Sequence, residues 1–253
     1  GFRALYLGVL INVLIMATVC LAAAKLGAIM LGLSQLQTLL IAGVVTVIYS
    51  TLGGLRGVII TDFFQFIIAM VGSVWATITI VNMPEVGGMT ALLTHENVVG
   101  SLNFFPDINN TELFISIIII PLAVQWWGAW YPGSEPGGGG YVAQRMLSAK
   151  NENHAVAATL FYNIAHYALR PWPWLLIALA SLVVFPDLAS IEAAFPGMNV
   201  TVGHDLAYPA MLTYLPAGLL GLVMASLIAA FMSTISTHLN WGASYVVSDL
   251  YTR

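Results

Sequence analysis

The chain has 253 residues, of which 59% are hydrophobic and 7% are charged, whereas about 25% of the residues of a soluble domain are charged. This composition predicts an integral membrane protein. A formal net charge of −4 without a basic cluster argues against nucleic-acid binding. The single cysteine, Cys20, excludes a disulfide framework and a thiolate metal cluster.

Six apolar segments, most of them near or above the ~20 residues that a bilayer requires, follow one another along the chain. They cover approximately residues 4–30, 36–52, 58–81, 113–147, 155–185 and 216–247, and the fourth is interrupted. We therefore predict an all-α integral membrane protein with six transmembrane helices.

Charges between the segments predict the orientation. If the segments alternate in direction, the basic residues of the connections share one side: Arg3, Arg56, Arg145, Lys150 and Arg253. The opposite side carries two acidic loops without Lys or Arg, and Lys25 is the exception, which snorkelling can accommodate. By the positive-inside rule the basic side is cytoplasmic, so we expect a multi-pass protein of the cell inner (plasma) membrane.

The second and third segments are joined by YSTLGGLRGVIITDFFQ, in which Gly53 and Gly54 predict a tight turn. Asp62 then lies inside the third segment, where a carboxylate is costly unless it is paired, hydrated or functional. Two interpretations are open: a charge near a helix N-terminus that the helix dipole favours, or a polar group beside the path of a cation.

The fourth segment reads PLAVQWWGAWYPGSEPGGGG, and its prolines and glycines disfavour a continuous helix. Broken helices at membrane depth line cavities or are buried in protein, so the polar and aromatic residues here are candidate solute contacts. They are Gln125, Trp126, Trp127, Trp130, Tyr131 and, within the break, Glu135. The tryptophans also fit an aromatic belt at the membrane interface.

The fifth segment places Asn163, His166 and Arg170 at spacings of three and four, which puts them on one helical face. An Arg at mid-membrane costs about 2.5–3.5 kcal/mol or more, so Arg170 predicts either a solute contact or a structural ion pair. Glu135 is a candidate ionic partner for Arg170, and His166 is a second candidate solute contact.

The sixth segment contains LVMASLIAAFMSTISTHLNWGASYVVSDLY, with small residues and hydroxyls at helical spacing. The hydroxyls of Ser233 and Thr234 point back toward the carbonyl of Ala230. Three oxygens from one turn are about half of the six or so that a hard cation needs. The alternative is that both hydroxyls only bond to their own helix.

Three stretches resemble the solute:sodium symporter family of sodium-coupled sugar, proline and pantothenate transporters: YSTLGGLRGVIITDFFQ, YVAQRMLSAKNENHA and AAFMSTISTHLNWGASYVVSDLY. The resemblance implies the LeuT-type inverted-repeat core, of which residues 1–253 would form core helices three to eight. It also implies a Na⁺ site made by the Ala230 carbonyl, Ser233 and Thr234, with Asp62 near the inner sodium route. His166 falls near a polar solute contact of the sugar transporters.

The expected function is sodium-coupled symport of a small polar organic solute, such as a sugar, an amino acid or an organic acid, across a lipid bilayer. The absence of GxSxG and HExxH motifs argues against an enzyme. A transporter-like sensor domain and a proton-coupled transporter are the alternatives. Because the chain begins without Met and ends directly after an apolar segment, we also expect an internal piece of a longer protein.

Overall fold

The computed structural model describes residues 2–103, 105–125, 140–196 and 201–252, and all regular structure in these ranges is helical. In chain order the helices are α1 (Tyr6–Leu31), α2 (Gln35–Leu52), α3 (Gly54–Val81), α4 (Met89–Thr94), α5 (Glu96–Val99), α6 (Thr111–Val124), α7 (Gly140–Leu147), α8 (Glu152–Val184), α9 (Leu188–Ala194), α10 (Ala207–Leu212) and α11 (Ala217–Asp249).

Five helices of the described ranges are long and apolar enough to cross a membrane, against six segments expected from the sequence. They are α1, α2, α3, α8 and α11. The expected fourth segment is represented by the shorter apolar helix α6 and by α7. Residues 126–139, which contain the expected break, lie outside the described ranges. The all-helical class and the apolar helices are confirmed, whereas the sixth span stays a prediction.

The connections between α1, α2 and α3 are short because particular residues stop and start each helix. Gly32 ends α1 in the left-handed conformation, at φ 63°. Ser34 then caps α2 in a capping box with Gln37. Between α2 and α3 the helical path is interrupted at Gly54, whose φ of 54° and ψ of −168° favour glycine. The expected Gly-Gly turn is therefore a break centred on its second glycine.

An apolar core fills one end of the molecule. It joins the last turns of α3 and the C-terminal half of α8 to the first turns of α11, and α4, α5, α9 and α10 pack around them. Ile80, Ile177 and Leu212 have no exposed surface. Between membrane-spanning helices, close van der Waals packing of such side chains drives association, so this end holds the long helices together.

Helix α8 changes its winding in the middle. Its residues Ile164–Leu169 form a π-helical turn, and the Arg170 amide donates to the Ala165 carbonyl at 3.0 Å. A new α-helical stretch begins at Pro171, which needs no N–H partner at a first helical position. The wider turn therefore displaces the side chains of His166 and Arg170 from the register of a uniform α-helix.

The C-terminal half of α11 lies against the first half of α1 at close range. The Asn12 side-chain amide donates to the His238 carbonyl at 2.7 Å, and Asn12 Oδ1 lies 2.6 Å from His238 Nδ1. A Cβ on Gly242 would come within 2.8 Å of the Gly8 carbonyl oxygen. Glycine at both positions allows the two backbones to approach each other.

The sequence suggested that Lys25 snorkels, and the structure shows that it also forms an ion pair. Its ammonium lies 2.6 Å from the carboxylate of Asp205, in the connection before α10. The Lys25 side chain is 19% exposed and that of Asp205 is 57% exposed. The basic residue in an otherwise acidic end of the protein is therefore neutralised by a partner from a distant loop.

Candidate functional site

A cavity of about 650 Å³ lies between the N-terminal halves of α3 and α8, the short helix α7 and the C-terminal half of α11. Five residues singled out in the sequence line it: Asp62, Ser233, Thr234, His166 and Arg170. Aromatic rings complete the wall, including Phe63, Phe161 and Tyr162. Its volume is in the range of pockets that bind small organic molecules, about 300–1,000 Å³.

Asp62 lies in a polar cluster on one wall of this cavity. Arg145 Nη2 lies 3.4 Å from Asp62 Oδ2 and donates to Thr237 Oγ1 at 2.9 Å. The hydroxyl of Ser233 is next to the same carboxylate. Within the described part of the chain, the buried Asp62 Oδ1 has no hydrogen-bond partner. A buried carboxylate oxygen without a donor is suited to a cation or a water molecule.

Thr234 makes the local hydrogen bond that its position predicts. Its hydroxyl donates to the Ala230 carbonyl at 3.0 Å, so the two oxygens are already adjacent. A hydroxyl that donates its hydrogen keeps both lone pairs for a further contact, so this bond is compatible with cation binding as well as with the purely local role. Ser233 and Thr234 line the cavity. Ala230 is exposed and is not among the lining residues.

The oxygens around α11 are of the kind that hard cations prefer, namely hydroxyl, carbonyl and carboxylate. Among the described residues there is no group of three or more His, Cys, Asp and Glu side chains able to hold a metal ion. The chemistry of this wall therefore fits a weakly held alkali cation better than a transition metal.

His166 and Arg170 of α8 form a second polar group in the lining of the cavity. Arg170 Nη1 lies 3.0 Å from His166 Nδ1. Because a guanidinium has no acceptor, Nδ1 accepts this bond and the hydrogen of the neutral imidazole is on Nε2. Tyr162 stacks on His166 with ring centroids 5.2 Å apart, and Arg170 lies over the Trp174 ring at 4.7 Å. Of the three residues predicted to share a face, His166 and Arg170 are in contact and line the cavity, whereas Asn163 donates to the Thr159 carbonyl and is not among the lining residues.

The remaining predicted solute contacts come from the interrupted fourth segment. Trp126, Trp127, Trp130, Tyr131 and Glu135 lie outside the described residues. Gln125 is the last residue of the helical stretch Pro121–Gln125, and its side chain is also outside the description. The predicted pairing of Glu135 with Arg170 falls in the same part of the chain and stays a prediction.

Arg145 and Thr237 are among the site residues that were not singled out from the sequence. Arg145 was interpreted as a loop charge that sets orientation, yet its side chain reaches Asp62 and lines the cavity. Thr237 lies one turn after Ser233 and accepts the hydrogen bond from Arg145. The available signal for Thr237 was its helical spacing from Ser233 and Thr234, whereas the sequence offers no local signal for the contact of Arg145.

The model of the sodium:solute symporter family matches residues 3–253. The chain belongs to this family. It is 30% identical over 233 residues to sodium/myo-inositol cotransporter 2 of Oryctolagus cuniculus, which covers 83% of this chain and 33% of the relative. It is 26% identical over 232 residues to the sodium/glucose cotransporter of Vibrio parahaemolyticus, covering 87% of this chain and 41% of the relative.

A sodium/mannose cotransporter of Bos taurus is 26% identical over 235 residues, covering 83% of this chain and 37% of the relative. The chain thus spans about a third of the length of the relatives that it matches. The family and these relatives are sodium-coupled transporters and not enzymes. Together with the five apolar helices of the described ranges, this membership identifies a multi-pass membrane protein.

Proposed function

We propose that the protein containing this chain is a symporter that carries Na⁺ and a small polar organic solute together across the cell inner (plasma) membrane. The observation that carries the proposal is the cavity between α3, α7, α8 and α11. Its lining includes Asp62 of α3, Ser233 and Thr234 of α11, and His166 and Arg170 of α8. Oxygen groups suited to a cation and polar groups suited to a solute therefore line a single cavity.

The architecture proposed for the chain is the LeuT-type inverted repeat, with residues 1–253 supplying core helices three to eight and six spans. In that arrangement the sodium ligands are the Ala230 carbonyl and the hydroxyls of Ser233 and Thr234. The 3.0 Å separation of Thr234 Oγ1 and the Ala230 oxygen supports this set. The remaining oxygens of a coordination sphere of about six would come from other core helices.

Asp62 is proposed to lie beside the route that sodium takes to the cytoplasm. The Ser233 hydroxyl is next to the Asp62 carboxylate, Arg145 Nη2 lies 3.4 Å from its Oδ2, and its Oδ1 has no hydrogen-bond partner among the described residues. A carboxylate beside Ser233 supports a role for Asp62 near the sodium ligands. Coupling follows if Na⁺ and the solute stabilise the same conformation of the transporter, since each then raises the affinity for the other.

The test is ²²Na⁺ binding to the purified full-length protein. Ser233→Ala and Thr234→Ala should each raise the half-saturating sodium concentration about tenfold, which corresponds to a loss of about 1.4 kcal/mol. Ser226→Ala is the matched control, because Ser226 is a buried serine of the same helix whose hydroxyl donates to the Val223 carbonyl. An unchanged sodium dependence in both site variants would reject the assignment.

Proton coupling is the second candidate, and the carboxylate of Asp62 in the cavity favours it. The two candidates differ in the cation that drives accumulation in proteoliposomes. Replacing external Na⁺ with choline at constant pH should abolish accumulation by a sodium symporter. Accumulation that survives this replacement and follows an imposed pH gradient would establish proton coupling instead.

A further inference from the structure

Arg170 is a cation in the cavity without an anionic partner in the described residues. The two ion pairs of this part of the chain are Lys25 with Asp205 and Arg145 with Asp62. Arg170 takes part in neither. Among the described residues, the lining of the cavity has one carboxylate, Asp62, which already faces Arg145, and a second arginine, Arg170, whose charge that pair does not balance.

The contacts of Arg170 hold the guanidinium in position without neutralising it. His166 accepts one of its hydrogen bonds as a neutral imidazole, at 3.0 Å. Trp174 lies beneath the guanidinium at 4.7 Å, and such a cation–π contact is worth roughly 0.5–2 kcal/mol. Both partners are one turn away on α8, on opposite sides of Arg170 in the sequence. A guanidinium has five N–H donors, so several remain for another acceptor.

The position of Arg170 in α8 makes its charge costly. It lies near the middle of Glu152–Val184, about 27 Å from its first residue and about 21 Å from its last at 1.5 Å per residue. An uncompensated Arg at such a depth costs about 2.5–3.5 kcal/mol or more. The residue directly follows the π-helical turn Ile164–Leu169, one of five π-helical stretches in the described residues.

We propose that the transported solute carries a carboxylate and that Arg170 binds it. This inference rests on the proposed function and names the chemical class of the solute: a small hydroxylated organic acid. The planar guanidinium presents paired donors that match the two oxygens of a carboxylate. The uncharged donor and acceptor groups of the cavity, such as Thr159 and Tyr162, are suited to the hydroxyls of the same solute.

The inference separates this chain from the relatives to which it is similar. Their names give myo-inositol, glucose and mannose as solutes, all of which are uncharged. A cavity lined by Arg170 as well as by the proposed sodium ligands Ser233 and Thr234 favours an anion for electrostatic reasons, because Na⁺ and the carboxylate together enter as a neutral pair. We therefore expect the cavity to select solutes first by their charge and second by the pattern of their hydroxyl groups.

The experiment measures how much each probe raises the unfolding temperature of the purified full-length protein in a sodium-containing buffer. The probes are two acids, glucuronate and gluconate, and two uncharged compounds of similar size, glucose and myo-inositol. We expect both acids to stabilise the protein. The uncharged compounds should bind at least about tenfold more weakly, which corresponds to a difference of about 1.4 kcal/mol in binding free energy.

Variants separate the role of Arg170 from a general charge effect. Arg170→Gln should weaken binding of the acids about tenfold or more, and Arg170→Lys should recover part of it, because an ammonium keeps the charge without the paired donors. Lys25→Gln is the matched control, since it removes one positive charge from the apolar helix α1, where Lys25 pairs with Asp205. This control should bind the acids as the unmodified protein does.

Three outcomes overturn the inference: failure of both acids to bind, preference for an uncharged probe, or acid binding that Arg170→Gln leaves unchanged. A Glu135 that neutralises Arg170 would produce the second outcome. Repeating the binding with choline in place of sodium keeps the two proposals apart. Acid binding without sodium would retain the acid site and reject sodium coupling, whereas sodium-dependent binding of glucose alone would do the reverse.

Discussion

The long helices α3, α8 and α11 pack closely against one another at one end of the protein and surround a cavity at the other. At the packed end, Ile80 of α3 and Ile177 of α8 have no exposed surface and Val223 of α11 has 1%. At the cavity end, the same helices present Asp62 and Ser233 toward an opening of about 650 Å³. Each helix therefore has a half that stabilises the fold and a half that carries polar groups.

This division has a physical reason. Apolar interiors reach the packing density of organic crystals and respond to the loss of a single methylene, so a well-packed end fixes the direction of each helix. Polar side chains that extend from rigid helices are then held in position without filling the space between them. The difference between the ends predicts that mutations will affect stability at one end and ligand affinity at the other.

The largest effect on stability is expected at the packed end. Ile177→Ala should lower the free energy of unfolding by about 2–5 kcal/mol, because it leaves a hole among fully buried side chains. Leu175→Ala is the control on the same helix, since Leu175 is 61% exposed. Thermal unfolding of the full-length protein in detergent measures both variants. Equal losses in the two variants would contradict the division, as would a change in sodium affinity in Ile177→Ala.

An intermediate effect is expected where α1 and α11 approach each other beside the cavity. Gly242→Ala places a Cβ 2.5 Å from Asn12 Nδ2 and 2.8 Å from the Gly8 carbonyl oxygen. Because one of these atoms belongs to the backbone, the helices must separate, at a cost of about 1–3 kcal/mol. Gly221→Ala on the same helix has nothing within 4 Å and should leave the unfolding temperature unchanged or slightly higher.

The Gly242→Ala substitution also tests whether the close helix contact shapes the site. We expect the half-saturating sodium concentration to rise in this variant, because the shift moves the α11 turn that carries Ser233 and Thr234. An unchanged sodium affinity combined with reduced stability would show that the contact serves the fold alone.

The smallest effect is expected at the ion pair of Lys25 and Asp205. Asp205→Asn should reduce stability by about 0.2–1 kcal/mol, because the Asp205 carboxylate is more than half exposed and water screens the pair. The difference should shrink in 1 M choline chloride, where the Debye length is ~3 Å. Glu192→Gln, an exposed carboxylate of α9, is the control. A loss above about 2 kcal/mol would contradict the weak role that exposure implies.

Local patterns in the sequence predicted much of this structure. Apolar length indicated the long helices, and two glycines indicated the break that lies at Gly54. The spacing of four between His166 and Arg170 predicted their contact on one helical face, because residues four apart lie on neighbouring turns, and the contact is kept through the π-helical turn. These features depend on neighbours in the chain, which the sequence displays directly.

Contacts between distant residues were not predictable in the same way. Lys25 meets Asp205 across 180 positions, and Arg145 meets Asp62 across 83. Such pairs depend on how whole helices pack, and a charge in a connection gives no local sign of where its long side chain ends. The sodium role of Ser233 and Thr234 stays a prediction, since the local hydrogen bond of Thr234 suits either interpretation.

The contact between Asn12 and His238 also determines where a proton lies. Because Asn12 Nδ2 donates to the His238 carbonyl, the oxygen of the same amide faces His238 Nδ1 at 2.6 Å. That oxygen only accepts, so Nδ1 carries the hydrogen and the neutral ring keeps its basic lone pair on Nε2. The tautomer of a histidine that lines the cavity is thus set by an amide 226 positions earlier in the chain.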